Sequence, residues 1–276
     1  MRPETTASPA APLLRAERLS ITFGGIKAVT DFDLTVGDGE IVSLIGPNGA
    51  GKTTCFNMLT GFYRPTGGTA QFRGQVITGL KPHAIARRGL VRSFQKTSVM
   101  KNLTVFENVV TGHYLQTRQS LMQTFLFEGA SKRAAEAARQ RSAEIVQLLG
   151  LGTRSETPAH HLSCGDLRLL EVGVALAARP TLLMLDEPAA GLNTAEANAF
   201  GEVLRTIVAT QVRSLLLVEH NMGLVMGVSD RIVVMNFGRK LIEGTPAEIL
   251  GSDEVREAYL GKGAAGKGAA GKGAGR

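Results

Sequence analysis

The sequence predicts an α/β fold: a mixed core sheet carrying a phosphate-binding loop, an antiparallel β part at the N-terminus and a helical subdomain. Three observations predict it. Ile41–Ile45 is a short apolar run that stops at Gly46-Pro47-Asn48-Gly49-Ala50-Gly51 and passes into a helical stretch, Lys52–Thr60, closed by Gly61. Strand, GxxxxGK[ST] loop and helix form the context that a phosphate-binding loop requires. Two further apolar runs, Leu182–Leu185 and Ser214–Val218, end on polar residues in the manner of buried strands of an open α/β sheet. Between them and the loop, about residues 96–178, the strand rhythm gives way to helical segments.

The loop's chemistry explains its residues. Backbone N–H groups can wrap phosphate oxygens only where no Cβ intrudes, hence Gly46, Gly49 and Gly51. The helix that follows aims unpaired N–H groups and its positive dipole end at the same oxygens. Lys52 is expected to reach the β- and γ-phosphates, and the Thr53 hydroxyl to hold Mg²⁺. Asn48, Gly49, Ala50, Gly51, Lys52, Thr53 and Thr54 are the expected nucleotide contacts of this stretch.

Composition sets the bounds. The 276 residues are enough for one large domain or two small ones, and the 43% apolar content suits a globular chain. No apolar run approaches the ~20 residues of a membrane span. The N-terminal stretch MRPETTASPAAPLLRAERL lacks the continuous apolar core of a signal peptide. Two cysteines, Cys55 and Cys164, argue for reduced thiols and a cytoplasmic setting rather than a disulfide framework. The net charge of +7 is concentrated in the last sixteen residues, GKGAAGKGAAGKGAGR, which hold four basic residues and no acid. Without them 27 basic face 24 acidic residues, so the folded part carries only +3 and offers little basis for a nucleic-acid-binding face.

In chain order, residues 1–13 are Ala-, Pro- and Thr-rich and expected to be disordered. Leu14–Phe23 and Val29–Val36 read as strands, and Gly37-Asp38-Gly39 as a hairpin-type turn. Beyond the loop, Thr69–Arg73 and Val76–Ile77 are further strands, Pro82–Arg88 a short helix, and Leu90–Phe94 a strand ending at Gln95. Thr104 and Glu107 have capping-box spacing at the head of Thr104–Tyr114. Leu121–Phe127 is apolar, and Ser131–Leu149 has helical periodicity. Ser163 is a natural N-cap for the segment LSCGDLR, which runs into the apolar helix Leu169–Ala178. Leu182–Leu185 ends at Asp186-Glu187; adjacent carboxylates at a strand's edge suit a metal-bound phosphate, with Asp186 holding Mg²⁺ through water and Glu187 near the attacking water. Asn193, Thr194 and Glu196 open a capped helix to about Thr210. Ser214–Val218 ends at Glu219-His220, and Met222–Val228, Arg231–Asn236, Leu241–Glu243 and Asp253–Leu260 complete a helix, two strands and a final helix. The GKGAA repeat from Gly261 reads as a flexible coil.

Taken together, GPNGAGKT, Gln95, LSCGD, LLMLDEP, AGLN and EH resemble the ABC-type ATPase subunits of membrane transporters, over roughly residues 14–260. The resemblance implies a P-loop NTPase core in an ABC ATPase cassette. It implies that Phe23 stacks on the adenine of ATP and that Gln95 senses Mg²⁺ and the membrane partner. It also implies that Ser163 and Gly165 of one subunit close on the γ-phosphate held by another, that Glu187 polarises the attacking water, and that His220 contacts the γ-phosphate. Such subunits work as head-to-tail dimers, homodimeric or heterodimeric, on the cytoplasmic face of the membrane. Their partners are integral permease subunits and, indirectly, a solute-binding protein.

TGFYRPTGG, ARRGLVRSFQ, LTVFENV, DEPAAGLN and EHNMGLVMGVSDRIVVMNFGRKLIEGTP are similar to the branched-chain amino-acid importer subgroup, and urea, amide and aromatic-acid importers share much of the pattern. Asp166 stands where the family usually has Gln, and Asn193 where the wider superfamily has Asp. A carboxylate at 166 complements its helix N-terminus by ~0.3–1 kcal/mol, yet would repel a facing γ-phosphate. A stand-alone nucleotide switch or kinase predicts no LSxG segment. Soluble ABC proteins of translation or repair predict two cassettes or a long coiled coil.

Overall fold

The computed structural model describes residues 11–93, 99–115 and 128–260. Residues 1–10, Gln95, the apolar run Leu121–Phe127 and the tail 261–276 lie outside them. Two sheets organise the chain. The first is antiparallel, in the order β2-β1-β4-β5, from β1 (Leu14–Phe23), β2 (Ile26–Val36), β4 (Gly67–Phe72) and β5 (Gln75–Val76). The second has the order β10-β9-β3-β8-β7-β6, from β3 (Ile41–Ile45), β6 (Leu90–Arg92), β7 (Leu182–Asp186), β8 (Ser214–Val218), β9 (Arg231–Asn236) and β10 (Arg239–Gly244). It is parallel except for the edge strand β10.

The parallel strands are apolar throughout because both their faces are covered. Along β7, Leu182 and Met184 enter one core, with Phe32, Phe56 and Phe72 from the antiparallel sheet and the helix α1 (Lys52–Leu59). Leu183 and Leu185 enter the other, against the helices α3 (Val105–Thr111), α4 (Glu128–Leu148), α5 (Cys164–Ala177) and α6 (Thr194–Thr210). β8 divides in the same way, with Leu216 and Val218 on the first side and Leu215 and Leu217 on the second.

Gly37-Asp38-Gly39 is not a hairpin. β2 and β3 lie in different sheets, and the turn carries the chain between them. The Gly39 N–H donates to Arg213 O at 2.8 Å, and Asp38 pairs with Arg213. The cause is legible in burial: β2 alternates, whereas β3 is buried at every position and takes β8 and β9 as parallel neighbours.

The remaining helices are α2 (Pro82–Ala86), α7 (Met222–Val228), α8 (Pro246–Gly251) and α9 (Asp253–Leu260). α8 is absent from the sequence expectations. Its signals are a Thr245–Glu248 capping box and Pro246 in the first turn, with Ile249 buried under β9 and β10.

Candidate nucleotide site

The phosphate loop lies between β3 and α1, as its glycines require. Gly46 has φ 151°, and a Cβ there would meet Met235 O at 2.0 Å. Gly51, at φ 103°, heads α1 with no side-chain cap, so the helix's first N–H groups are left for a ligand. Lys52 is 7% exposed. Its ammonium donates to Gly46 O at 2.6 Å and Pro47 O at 3.1 Å, tying the end of the loop back to its start. Burial pulls the Lys52 ammonium below its ordinary pKa, while Glu187 and Asp186 push it back up.

A cavity of about 450 Å³ opens over this loop. It brings together every expected contact from Asn48 to Thr54 and adds Glu187 from the end of β7. It also takes in Ile26, Lys27, Ala28, Phe237 and Gly238, which sequence reasoning did not single out. Phe23 is not among the lining residues. It is half-exposed and packs edge-on against Tyr63, with centroids 5.2 Å apart.

Asp186 is buried at the C-terminal edge of β7. One carboxylate oxygen accepts from Arg92 Nη2 at 2.5 Å, and Arg92 Nη1 donates to Asn57 at 2.6 Å. Arg92 lies over the ring of Phe56 at 5.6 Å, a contact that keeps the guanidinium in place. Sequence reasoning missed Arg92; a cation three residues before Gln95 on the strand beside β7 was the available signal. Burial pushes the Asp186 carboxyl above its usual range, against the opposing pull of Arg92. Its second oxygen, Oδ1, is buried and has no hydrogen-bond partner. An orphaned carboxylate oxygen beside a phosphate loop fits a hydrated Mg²⁺. No group of three or more His, Cys, Asp or Glu gathers among the described residues.

Glu187 follows with φ 50°, left-handed backbone that turns its side chain out of the sheet and into the cavity. Its N–H donates to Val218 O at 2.8 Å. Glu219, at the adjoining end of β8, is fully buried and was not singled out from the sequence. One of its oxygens accepts from the Ala189 N–H at 2.7 Å; the other accepts from His220 N–H at 2.8 Å and Asn221 N–H at 3.0 Å. This carboxylate joins the loop after Glu187 to the segment carrying His220, whose own side chain is 59% exposed and lies outside the cavity. On its far side the same loop is held by Arg168, whose guanidinium donates to Ala190 O.

Ser163 and Gly165 do not reach the phosphate-loop cavity. They line a separate one of about 190 Å³ with Asp166, Leu192 and Phe200. Ser163 caps α5 and accepts from the Asp166 N–H at 3.1 Å, and its hydroxyl donates to Asp166 Oδ2 at 2.7 Å. Arg154 pairs with the same oxygen. The carboxylate at 166 is therefore not a bare charge: a guanidinium partly offsets whatever repulsion it exerts on a facing phosphate. If this helix end meets a phosphate, Asp166→Gln alone is expected to strengthen ATP-dependent association, because it leaves the Arg154 guanidinium unopposed. Arg154→Ala is expected to weaken association at low salt more than at high salt, and adding Asp166→Gln should cancel that loss. Light scattering of the four proteins at two salt concentrations checks this; association unchanged in all three variants would mean that the pair does not face phosphate.

A family model described as ABC transporter matches residues 29–190. A second, described as Branched-chain amino acid ATP-binding cassette transporter, matches residues 239–265. The chain is 44% identical over 251 residues to the high-affinity branched-chain amino acid transport ATP-binding protein LivG of Escherichia coli (strain K12), covering 91% of this chain and 98% of that protein. It is 40% identical over 251 residues to BraF of Pseudomonas aeruginosa, with the same coverage. A crystal structure of the ADP conformation of an ATP-binding cassette of an ABC transporter superposes with a TM-score of 0.80 at 28% identity, over 92% of this chain and 100% of that one. With the phosphate loop, the acidic strand edge and these matches in hand, the chain belongs to the ABC transporter family, as one of its ATP-hydrolysing cassettes.

Proposed function

We propose that the chain energises import of branched-chain amino acids by hydrolysing ATP at the cytoplasmic face of the membrane. The carrying observation is the subgroup-specific match of residues 239–265, added to 44% identity with a branched-chain amino acid transport protein over nearly its whole length. No described helix is long and apolar enough to cross a membrane. In this reading the transport path belongs to permease partners.

Lys52 and the loop N–H groups bind the triphosphate. Thr53, Asp186 and Gln95 would hold Mg²⁺, which neutralises charge on the phosphates when bound. Glu187 accepts a proton from the attacking water. Ser163 and Gly165 complete the site from a second cassette, identical or similar, which accounts for their distance from the cavity in a single chain. His220 meets the γ-phosphate once the two cassettes close. Hydrolysis removes the shared phosphate contact and the pair reopens, moving the permease subunits.

Reconstitution with those subunits tests the reading. A binding protein loaded with leucine, isoleucine or valine should stimulate ATP turnover and uptake; stimulation by urea, an amide or an aromatic acid instead would overturn the solute assignment.

The permease docks, in this reading, on the segment 96–107. Met100 is 54% exposed beside a groove of about 320 Å³ lined by Val99, Lys101, His160, Cys164, Arg168 and Glu171. Met100→Glu is expected to lower transport and copurification with the permease while leaving turnover of the isolated subunit unchanged. Unaltered transport would place the docking surface elsewhere. Val99 packs partly against the second core, so a charge there would also strain the fold and is the weaker test.

A further inference from the structure

Arg92 and Asp186 form the most deeply buried ion pair among the described residues, with side chains 9% and 0% exposed. A buried pair of this kind gives little net stability, because both charges leave water to make it. Here the desolvation is also left partly uncompensated. Arg92 Nε and Asp186 Oδ1 are both buried without a hydrogen-bond partner. Each such atom costs folding free energy. Stability alone therefore does not account for the pair.

The guanidinium is held where it is. Nη2 donates to Asp186 Oδ2 at 2.5 Å, and Nη1 donates to Asn57 Oδ1 at 2.6 Å, on the helix that follows the phosphate loop. Its central carbon lies 5.6 Å from the ring centroid of Phe56 and 6.0 Å from that of Phe62. Its backbone is paired in register with Met184 of β7. The positive charge is thus a fixed feature of this strand edge. The charges acting on Asp186 are those of Arg92, Lys52 and Glu187. Two cations therefore stand against two carboxylates. A divalent cation approaching alone is attracted by the carboxylates and repelled by Lys52 and Arg92, and gains little. A bound triphosphate changes the balance, because it occupies Lys52 and brings several negative charges of its own.

We propose that Arg92 is the counter-ion that keeps Asp186 from taking a divalent cation by itself, so that metal is accepted at this edge only together with phosphates. The proposal rests on the reading of the cavity as the nucleotide site. Arg92 acts through Asp186 and is a positioning residue. It occupies Oδ2 and leaves Oδ1 as the oxygen for a metal-bound water. Metal and nucleotide then bind as a coupled pair, each favouring the other.

The test uses Mn²⁺ without nucleotide, counted by electron paramagnetic resonance. Arg92→Gln leaves a buried carboxylate without its counter-charge. It should bind Mn²⁺ at least about tenfold more tightly than the parent. Mn²⁺ or Mg²⁺ alone should also raise its melting temperature and leave the parent's unchanged. Arg92→Lys keeps the positive charge and should restore the parent's indifference to metal. Arg92→Gln combined with Asp186→Asn should lose the response, because the receiving carboxylate is gone. If Arg92→Gln still binds ATP but takes Mn²⁺ no better than the parent, Arg92 only ties α1 to β7 and the proposal is overturned. Nucleotide-free binding of Mn²⁺ by the parent that disappears in Asp186→Asn would also overturn it, whether or not the Arg92 variants fold. Equilibrium dialysis of the parent with ATP separates the two readings: no ATP bound rejects the nucleotide site itself, on which the proposal rests.

Discussion

Glu187→Gln is expected to lower ATP turnover by about 10²–10⁴-fold, the range associated with loss of a positioned general base, while ATP binding is retained. The amide keeps the shape of the carboxylate and loses only its capacity to take a proton. The backbone at 187 is left-handed and tied to Val218 O, and both features survive the substitution. Lys52 and the loop N–H groups lie on other residues of the cavity, so phosphate affinity should hold. The variant should then accumulate with ATP bound and remain associated with its partner cassette. Phosphate release and gel filtration with ATP check both halves. Hydrolysis at the parent rate would remove Glu187 from the role of base.

The second large effect is expected at Glu219, where Glu219→Gln should reduce both stability and turnover. The carboxylate is a pure acceptor that receives three N–H groups, one on one oxygen and two on the other. An amide presents donors to one of those sets. The Ala189 N–H is buried and bears the full penalty if abandoned, whereas His220 and Asn221 are nearer to water. Hydrogen bonds to charged groups contribute about 1.5–3 kcal/mol each, so the net loss should be about 2–4 kcal/mol. For a chain of this size that lowers the melting temperature by roughly 5–10 °C. The Ala189–Leu192 segment loses its tie to β8, and with it the coupling between Glu187 and His220. kcat should fall while KM for ATP stays within about threefold, because the phosphate loop makes no contact with Glu219 and KM reports uniform binding. Thermal melts and steady-state kinetics together decide. Unchanged values in both would mean that Glu219 only fills space.

Much of this site was legible because local chemistry demanded it. Gly46 and Gly51 occupy backbone that other residues would enter only under strain, and the acidic pair at 186–187 follows an apolar run that could only be a buried strand. Capping boxes at Thr104 and Asn193 were readable because their partners lie three residues away. What was missed depends on tertiary neighbours. The turn at 37–39 has hairpin composition, yet whether its flanking strands pair with each other is decided by what covers them. Arg92 reads as an ordinary strand cation until β7 is placed beside it. Glu219 looks like a polar strand end until Ala189 arrives from thirty residues upstream. Phe237 reads as an apolar turn residue, and only the Gly238–Ala50 hydrogen bond reveals that its turn abuts the phosphate loop.

In the proposed function the cavity over the loop binds the triphosphate, with Lys52 as its principal charge partner. Calorimetric titration of ATP into the parent and into Lys52→Ala tests this most directly. The predicted result is one ATP per chain in the parent and about 10–100-fold weaker binding in the variant, the equivalent of one charge-assisted hydrogen bond. Binding of ATP by Lys52→Ala with the parent's affinity would contradict it.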